Sequence, residues 1–344
     1  MKTRQRHPAT PARAPVAVAG MGLMGHSIAA CFLAAGYPVL GLTRNLRAHR
    51  ASPVRILDML REMKREKLLK DHPRRLMESF RLTADVADLA SCTLVVESIV
   101  EDLSAKMRLF EAVEKHVSAS VIIATNTSSI PISLLQSGAA HPERFVGLHW
   151  DEPAHVTRFM EVVAGEQTAP RFARRVMKIA AELGKEPSLL RRDVRGFIVN
   201  RVCYAMYREA FNLVESGVCT MEDVDRSMRN APGYWMPFAG PFRYMDLTGV
   251  LAYYHVMKDL LPDLSNSPEV PALMRKVAES GGNGISNGRG FYRYTRAEAR
   301  QWAKAFEKFN YAIRRLTDKY MPKAPYAPAA NATKKTAVKR ASTA

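Results

Sequence analysis

The sequence predicts an α/β protein in two parts, a doubly wound domain followed by an all-helical domain. Up to about residue 190, short apolar runs alternate with amphipathic stretches, a pattern typical of a parallel sheet covered by helices. A glycine-rich turn separates the first apolar run from the first helical stretch. Beyond Gly196 the strand signals vanish and long amphipathic stretches follow one another, which indicates a helical domain.

The elements follow one another in a regular order. Apolar runs predict strands at 15–20, 38–42, 93–97, 120–125, 145–149, 158–163 and 188–191. Helical spacing predicts helices at 23–35, over 53–80 as a pair, at 104–117, after Ser129 and at 169–184. In the second domain, amphipathic stretches predict helices near 197–217, 221–230, 242–262, 268–280 and 295–320.

The composition fits such a protein. The 344 residues are 47% hydrophobic and 24% charged, which is enough apolar material for a packed core and more length than one typical domain needs. No run of 18 or more uncharged apolar residues occurs, so we expect no membrane-spanning helix. Four widely spaced cysteines without a CxxC pair indicate reduced thiols, so we expect a cytoplasmic protein with no disulfide framework and no metal site.

The net charge of +18 lies partly at the two ends of the chain. Residues 1–13 and 323–344 carry basic but no acidic side chains, and we expect both to be disordered tails. The doubly wound domain then spans residues 14–194, and the helical domain spans residues 195–322. Because no basic stripe with interleaved aromatic residues is visible, we expect a solvated basic surface and no nucleic-acid partner.

The glycine-rich turn has the spacing of a dinucleotide-binding loop. Gly20, Gly22 and Gly25, with Leu23 and Met24 between the last two, form G-x-G-x-x-G after a buried strand and at the start of a helix. The first glycine permits the tight turn, the second lets a pyrophosphate approach the backbone, and the third lets the helix pack closely on the sheet. The N–H groups at the start of that helix would bind the phosphates.

The end of the second strand bears on which dinucleotide binds. An acidic residue there usually binds the ribose 2′-hydroxyl of NAD, but this chain has Thr43 followed by Arg44. Thr43 does not repel a 2′-phosphate, and Arg44 could pair with one. These two residues favour NADP, while NAD stays open because it also binds through its pyrophosphate and nicotinamide ends.

Several further motifs, together with the glycine turn, resemble the 3-hydroxyacyl-CoA dehydrogenase family. They are Val96–Leu103 with Lys106, Asn126–Ser129, Gly147–Pro153 with Glu161, Gly196–Arg201 and Gly288–Tyr292. The match runs from about Val16 to Tyr294 in the order and spacing of the family. The resemblance implies an N-terminal Rossmann domain, a C-terminal helical domain that forms a homodimer, and NAD or NADP as the cofactor.

The resemblance also implies roles for individual residues. His149 would be the general base that takes the hydroxyl proton as hydride leaves the same carbon, and Glu161 would orient its imidazole. Ser128 and Asn200 would hydrogen-bond the substrate oxygen at the reacting carbon; an N-cap role for Ser128 is compatible with this. Three further residues would line the nicotinamide-ribose side of the cofactor: Glu101, Lys106 and Asn126.

One segment departs from the family pattern in a way that bears on the substrate. Acyl-CoA enzymes of the family typically read His-x-x-Asn-Pro, whereas Glu152 stands in the asparagine position here. Asp151 and Glu152 would repel an anionic substrate unless a cation neutralises them, and His155 and Arg158 are the local candidates for that. The expected loop at 234–242 also resembles the small-substrate branches of the family.

The resemblance therefore implies an oxidoreductase of the 3-hydroxyacyl-CoA dehydrogenase type that acts on an L-3-hydroxyacyl-CoA. A basic helix at 54–70 could meet CoA phosphates, although a solvated amphipathic face explains it as well. One alternative is the same chemistry on a small hydroxy acid or sugar acid, as in carnitine or gulonate dehydrogenases. Another is a catalytically silent dinucleotide-binding protein.

Overall fold

The computed structural model describes residues 13–321 of the chain. The tails expected at residues 1–13 and 323–344 lie outside this range, except for Arg13. The Arg13 guanidinium pairs with Glu182 and lies over the ring of Tyr37. None of the helices within the described range is long and apolar enough to cross a membrane.

A sheet of eight strands forms the centre of the first part. The strands are β1 (Val16–Ala19), β2 (Val39–Leu42), β3 (Phe80–Thr83), β4 (Leu94–Glu97), β5 (Ile122–Thr125), β6 (Phe145–His149), β7 (Phe159–Ala164) and β8 (Glu186–Leu190). Their spatial order is β3-β2-β1-β4-β5-β6-β7-β8. The first six strands are parallel, β7 is antiparallel to β6, and β8 is parallel to β7. This order brings the carboxyl ends of β1, β4, β5 and β6 to one edge.

Helices cover both faces of this sheet. They are α1 (Leu23–Ala34), α2 (Ser52–Arg65), α3 (Pro73–Met77), α4 (Leu103–Glu114), α5 (Ile132–Gln136) and α6 (Pro170–Glu182). Successive strand residues point to opposite faces, so Val18 packs in the core cluster that contains Phe32 of α1, while Ala17 packs in the cluster that contains Phe110 of α4. The predicted doubly wound domain is confirmed.

Strand β3 corrects the sequence prediction, which extends a helical pair to residue 80. The second helix of that pair, α3, has only five residues, and Phe80–Thr83 instead pair with β2, with Phe80 opposite Val39. A run of four residues is too short for its periodicity to distinguish a strand from a helix. The pairing with β2 decides the conformation here.

The second part of the chain is helical, as predicted. Its helices are α7 (Val199–Glu215), α8 (Met221–Asn230), α9 (Pro232–Thr248), α10 (Val250–Leu260), α11 (Ala272–Glu279) and α12 (Arg296–Tyr320). The loop expected at 234–242 is wrong, because α9 is helical on both sides of a kink at Gly240. Gly240 has φ of 67°, which glycine adopts readily, and Pro241 then starts the second half as a proline starts a helix.

Candidate active site

The glycine turn lies where β1 passes into α1. Gly20 has φ of 107°, and a Cβ built on it would lie 2.3 Å from the carbonyl oxygen of Ser98. A Cβ at Gly25 would lie 1.8 Å from the carbonyl oxygen of Gly20, whereas Gly22 faces open space with nothing within 4 Å. Helix α1 has no acidic residue in its first turn and no side-chain cap. Open space before uncapped N–H groups fits the pyrophosphate of a dinucleotide.

The neighbouring predicted cofactor residues lie around this turn. Leu23 is exposed at the start of α1, and Met24 packs partly against the core. Thr43, at the end of β2, is buried, and its hydroxyl accepts a hydrogen bond of 3.3 Å from the Asn45 amide. Arg44 is exposed beside it. The position where NAD enzymes usually carry an acid therefore holds a hydroxyl next to a solvated cation.

A buried ionic cluster joins β4 to α4. The Lys106 ammonium donates to both carboxylate oxygens of Glu97, at 2.7 and 2.8 Å, and lies 3.2 Å from Glu101. The hydroxyl of Thr125 donates to Glu97 at 2.6 Å. Because Glu97 and Lys106 are fully buried, these hydrogen bonds offset the cost of removing both charges from water. The sequence predicts that Lys106 lines the cofactor, but its side chain is fully buried. Of Lys106 and Glu101, only Glu101 is exposed at the edge of the sheet.

Glu101 in turn organises the segment that follows β5. Its Oε1 accepts hydrogen bonds from the Ser128 amide at 3.0 Å, the Ser129 amide at 3.1 Å and the Thr127 hydroxyl at 2.5 Å. Partial burial alone would raise the pKa of the Glu101 carboxyl, but the hydrogen bonds from Thr127 and Lys106 hold it below its usual value. The carboxylate thereby fixes the backbone that carries Ser128.

Asn126 links the ends of three adjacent strands. Its side-chain oxygen accepts a hydrogen bond of 3.0 Å from the Trp150 amide, and its side-chain nitrogen donates to the Ser98 hydroxyl at 3.2 Å. Trp150 follows β6 and Ser98 follows β4. The amide is therefore placed at the edge of the sheet where the glycine turn also lies.

His149 and Glu161 face each other across β6 and β7. The two residues are register partners in the antiparallel pair, and His149 Nδ1 lies 2.8 Å from Glu161 Oε2. The other ring nitrogen, Nε2, lies 3.1 Å from the hydroxyl of Ser128. A proton on Nδ1 satisfies the carboxylate, which leaves Nε2 as a proton acceptor beside the exposed Ser128.

Residues at the start of α7, in the helical part, form hydrogen bonds to Glu161 and to the backbone of Ser128. The second carboxylate oxygen of Glu161 accepts hydrogen bonds from the amides of Ile198 and Val199, at 3.0 and 2.9 Å. Asn200, in the first turn of α7, donates to the backbone oxygen of Ser128 at 3.2 Å. The structure thus brings together all four predicted catalytic residues.

Two aromatic rings enclose the imidazole. The rings of Phe159 and Phe197 lie 5.5 and 5.4 Å from that of His149, centroid to centroid. Glu161 and His149 are both buried as a result. Burial in apolar surroundings strengthens the electrostatic interaction between imidazole and carboxylate.

The prediction that His155 and Arg158 neutralise the acidic pair is wrong. His155 Nδ1 lies 2.8 Å from the hydroxyl of Ser27 on α1, and Arg158 pairs with Glu186 and Asp318. The backbone turns after the acidic pair, so nearness along the chain does not bring these cations back to Asp151 and Glu152. Both acids are exposed.

Glu97 belongs to the buried ionic cluster at this site, but it is not among the site residues predicted from the sequence. A signal for it exists, because a carboxylate ends an otherwise apolar strand and a lysine follows nine residues later. A charge at such a buried position needs a partner, and Lys106 is that partner. Within the described residues, no cluster of three or more potential metal ligands occurs.

Comparisons with known proteins agree on one family. The model of the 3-hydroxyacyl-CoA dehydrogenase NAD-binding domain matches residues 15–194, and the model of the C-terminal domain of the same enzymes matches residues 196–294. A probable 3-hydroxybutyryl-CoA dehydrogenase of Deinococcus radiodurans is 33% identical over 278 residues, covering 80% of this chain and 99% of that protein. The mitochondrial hydroxyacyl-coenzyme A dehydrogenase of Sus scrofa is 32% identical over 293 residues, 81% of this chain and 90% of that protein.

A relative with a different substrate is also similar. The 5-formyl-3-hydroxy-2-methylpyridine 4-carboxylate 5-dehydrogenase of Mesorhizobium japonicum is 31% identical over 304 residues, 88% of this chain and 98% of that protein. A solved structure of an enzyme of this name, described as an NAD+-dependent dismutase, aligns with TM-score 0.83 at 29% identity, covering 89% of this chain and 98% of that one. Mycobacterium tuberculosis FadB2 aligns with TM-score 0.69 at 30% identity, covering 82% and 99%.

Proposed function

The chain belongs to the 3-hydroxyacyl-CoA dehydrogenase family and is an NAD(P)-dependent dehydrogenase, and we propose that His149 and Glu161 form its acid–base dyad. The observation that carries this proposal is the hydrogen bonding of the imidazole. Its Nδ1 is bound to Glu161, and its Nε2 lies beside the exposed hydroxyl of Ser128. An imidazole oriented by a carboxylate is well suited to accept a proton at its free nitrogen.

In the oxidative direction, His149 Nε2 takes the proton of the substrate hydroxyl. NAD(P), when bound, would supply the acceptor for the hydride that leaves the same carbon. The imidazolium that forms is stabilised by Glu161, whose carboxylate already lies 2.8 Å from Nδ1. In the reductive direction His149 returns the proton to the substrate oxygen.

Ser128 and Asn200 would bind the substrate oxygen. The Ser128 hydroxyl lies 3.1 Å from the base, so an oxygen bound next to it is within reach of Nε2. Donors at this position stabilise negative charge on the oxygen during transfer. Asn200 holds the backbone of Ser128 and joins the helical part to the site.

The glycine turn and the ionic cluster would bind the cofactor. We propose that Gly22 and the first turn of α1 hold the pyrophosphate, and that Glu101 and Asn126 bind near the nicotinamide ribose. The open space at Gly22 and the uncapped helix start support the first assignment. The doubly wound domain, residues 14–194, would supply this half of the site, and the helical domain, residues 195–322, would close it.

The first substrate class is an L-3-hydroxyacyl-CoA, as the names of the Deinococcus radiodurans and Sus scrofa relatives suggest. Exposed basic residues of α2 and the turn after it, such as Arg55 and Lys67, are available to phosphates. Arg61 is partly engaged, because it pairs with Asp58 at 2.8 Å.

A small carboxylate without CoA is the second candidate. The TM-score of 0.83 with the pyridine-carboxylate enzyme, against 0.69 for FadB2, supports it. Asp151 and Glu152 are exposed beside the dyad, and neither His155 nor Arg158 pairs with them. A small carboxylate would therefore have to bind with its charge directed away from these two acids.

A substrate panel tests these proposals. The purified protein is assayed by absorbance of the reduced nicotinamide with acetoacetyl-CoA, small 3-keto acids, sugar acids and pyridine aldehydes or alcohols, each with NAD and NADP. Turnover of acetoacetyl-CoA alone supports the first substrate class, and turnover of CoA-free compounds alone supports the second. Cofactor binding by calorimetry without turnover of any compound would instead support a catalytically silent protein.

We also propose that the protein is cytoplasmic and that it forms a homodimer through its helical part. Helices α7, α8, α10 and α11 bury no residue, and most exposed large hydrophobic side chains lie beyond residue 194. Apolar surface of this extent is rare on a monomer. A second copy of the chain would cover it through the same patch on both subunits.

A further inference from the structure

Helix α12 lies beyond both family models, since the second of them ends at residue 294, and it packs back onto the first part of the chain. The Tyr311 hydroxyl donates to Glu62 on α2 at 2.6 Å, and Arg315 pairs with Glu66 at 2.7 Å. Tyr311 is the one buried residue of this 25-residue helix. The helix therefore docks on the sheet part through a few polar contacts rather than through a large apolar face.

One of these contacts holds the segment 150–157, which directly follows His149. Arg314 of α12 donates to the backbone oxygen of Val156 at 2.6 Å. The buried Lys185 donates to the backbone oxygens of Thr157, at 2.5 Å, and Ala154. Two cations thus bind three carbonyls of one loop, those of residues 154, 156 and 157, and hydrogen bonds to charged donors are stronger than those between neutral groups.

Side-chain contacts also connect α12 to α1, the helix that follows the glycine turn. The carboxylate oxygen of Glu62 that accepts from Tyr311 also lies 3.6 Å from His155 Nε2. His155 Nδ1 lies 2.8 Å from the Ser27 hydroxyl of α1, and the same hydroxyl accepts from the His155 amide at 2.9 Å. Helices α12, α2 and α1 are thereby joined through the one histidine of the segment.

The other end of the segment borders the proposed substrate cleft. Trp150 is tied to Asn126, and the exposed Asp151 and Glu152 follow. Burial raises the pKa of the Tyr207 hydroxyl on α7, and neighbouring Cys203 and the charge of Asp151 add to the effect. The two acids thus lie between Trp150, which is tied to Asn126, and residues 154–157, whose carbonyls are bound by Lys185 and Arg314.

We propose that α12 positions the segment 150–157, through Arg314 and Tyr311, and that it thereby sets the affinity for substrate. These two are positioning residues, because neither contacts the dyad. The kinetic part of this inference rests on the proposed function, since it concerns the substrate of that site. The structural part concerns the segment alone and holds or fails without turnover.

The test compares three single variants of the full chain. Arg314→Gln removes the charge that binds Val156, and Tyr311→Phe removes only the hydroxyl that binds Glu62. Arg315→Gln is the matched control, because Arg315 lies on the same helix and pairs with the partly exposed Glu66, away from the segment. If Arg314→Gln does not fold, Tyr311→Phe still carries the test, because it leaves the packed ring in place.

The first measurement is backbone amide hydrogen exchange, followed by mass spectrometry of peptides that cover 150–157. We expect exchange there to be about fivefold faster or more in Arg314→Gln and Tyr311→Phe, and unchanged in Arg315→Gln. Equal exchange in all three variants and the wild type would overturn the inference. So would equally faster exchange in the control, which would indicate general loosening of α12.

The second measurement is the kinetics on the substrate that the panel identifies. We expect KM to rise about three- to tenfold in Arg314→Gln, with kcat within about twofold of wild type and with NAD(P) affinity unchanged. A change in kcat alone, or no change in KM where exchange is faster, would overturn the role in substrate affinity. If no compound turns over, the proposed function fails and the exchange result alone decides the structural part.

Discussion

The sheet part and the helical part of this protein reach stability in different ways. The central strands of the sheet part are buried on both faces by α1, α2, α4 and α6, which pack with them in two apolar clusters. In the helical part, four helices bury no residue, and α12 buries only Tyr311. The sheet part therefore completes its own core, while the helical part needs a further surface to cover its apolar faces.

The two parts also differ in how deeply their ion pairs can be buried, as one pair from each part shows. In the sheet part, Lys106 and Glu97 form an ion pair that is fully buried, and breaking such a pair by removing one partner costs about 3–5 kcal/mol. In the helical part, the pair between Arg226 and Asp223 is exposed, and pairs of that kind contribute little to stability. The site thus lies at the edge of the sheet that holds the buried ion pair, and the start of α7 contacts it through hydrogen bonds to Glu161.

We expect the largest effect from a substitution at Gly25, where α1 packs closely on the glycine turn. Gly25→Ala would put a Cβ 1.8 Å from the Gly20 carbonyl oxygen, so α1 must move away from β1. We expect the free energy of unfolding to fall by about 4 kcal/mol or more and cofactor binding to be lost.

Gly22→Ala is its control, because nothing lies within 4 Å of the added methyl. That variant should unfold like wild type in urea but bind NAD(P) more weakly by calorimetry. Wild-type stability in Gly25→Ala would contradict the packing described for the glycine turn.

The second effect concerns the core histidine of α1. Burial lowers the pKa of His26 from 6.5 to about 4, with Arg55 and His49 adding to the effect. On acidification the unfolded chain therefore binds this proton first, so stability falls from pH 6.5 to about pH 4, by up to about 3 kcal/mol. Urea unfolding at several pH values measures this loss.

His26→Gln is the matched variant, because its amide can keep the hydrogen bond that His26 makes to Ser52 at 2.8 Å. Its stability should depend less on pH over the same range. An identical pH dependence in the variant and the wild type would rule out His26 as the cause.

The third effect tests the uncovered surface of the helical part. Leu251 and Tyr254 on α10 are 71% and 61% exposed. Leu251→Glu with Tyr254→Glu should weaken self-association about 100-fold or more if a second copy covers this face. Light scattering after size exclusion measures it.

Leu46→Glu is the control in the sheet part, where an exposed leucine lies outside any such face. It should leave self-association unchanged. A monomeric wild-type protein at micromolar concentration would contradict the homodimer.

The smallest effect concerns cofactor preference at the end of β2. Thr43→Asp supplies the acid that NAD enzymes usually carry there and repels a 2′-phosphate, so the ratio of the two Kd values should shift toward NAD by about tenfold. Titration of protein fluorescence with NADH and NADPH measures this ratio. A wild-type protein that already prefers NADH strongly would contradict the role given to Arg44.

The residues at the carboxyl ends of the parallel strands could be predicted from the sequence to lie together. Parallel strands bring their carboxyl ends to one edge, so the glycine turn, Asn126 and His149 meet without further information. The spacing of His149 and Glu161 matched a known family, and the structure makes them register partners.

What the sequence did not reveal depends on side-chain direction and on long-range pairing. Strand β3 needs its partner β2, and His155 turns toward Ser27 rather than toward the neighbouring acids. The role of Glu97 depends on Lys106 folding back from α4. None of these follows from the periodicity of a short segment.

The dyad is tested most directly by single-turnover hydride transfer in His149→Gln and Glu161→Gln, with NAD(P) affinity measured in parallel. Both replacements are neutral and similar in length to the residue that they replace, and they remove the proton acceptor or its charged partner. We expect hydride transfer to be slower by about 10²–10⁴-fold in His149→Gln, with a smaller loss in Glu161→Gln and unchanged cofactor affinity in both. Hydride transfer at the wild-type rate in His149→Gln would rule out His149 as the base.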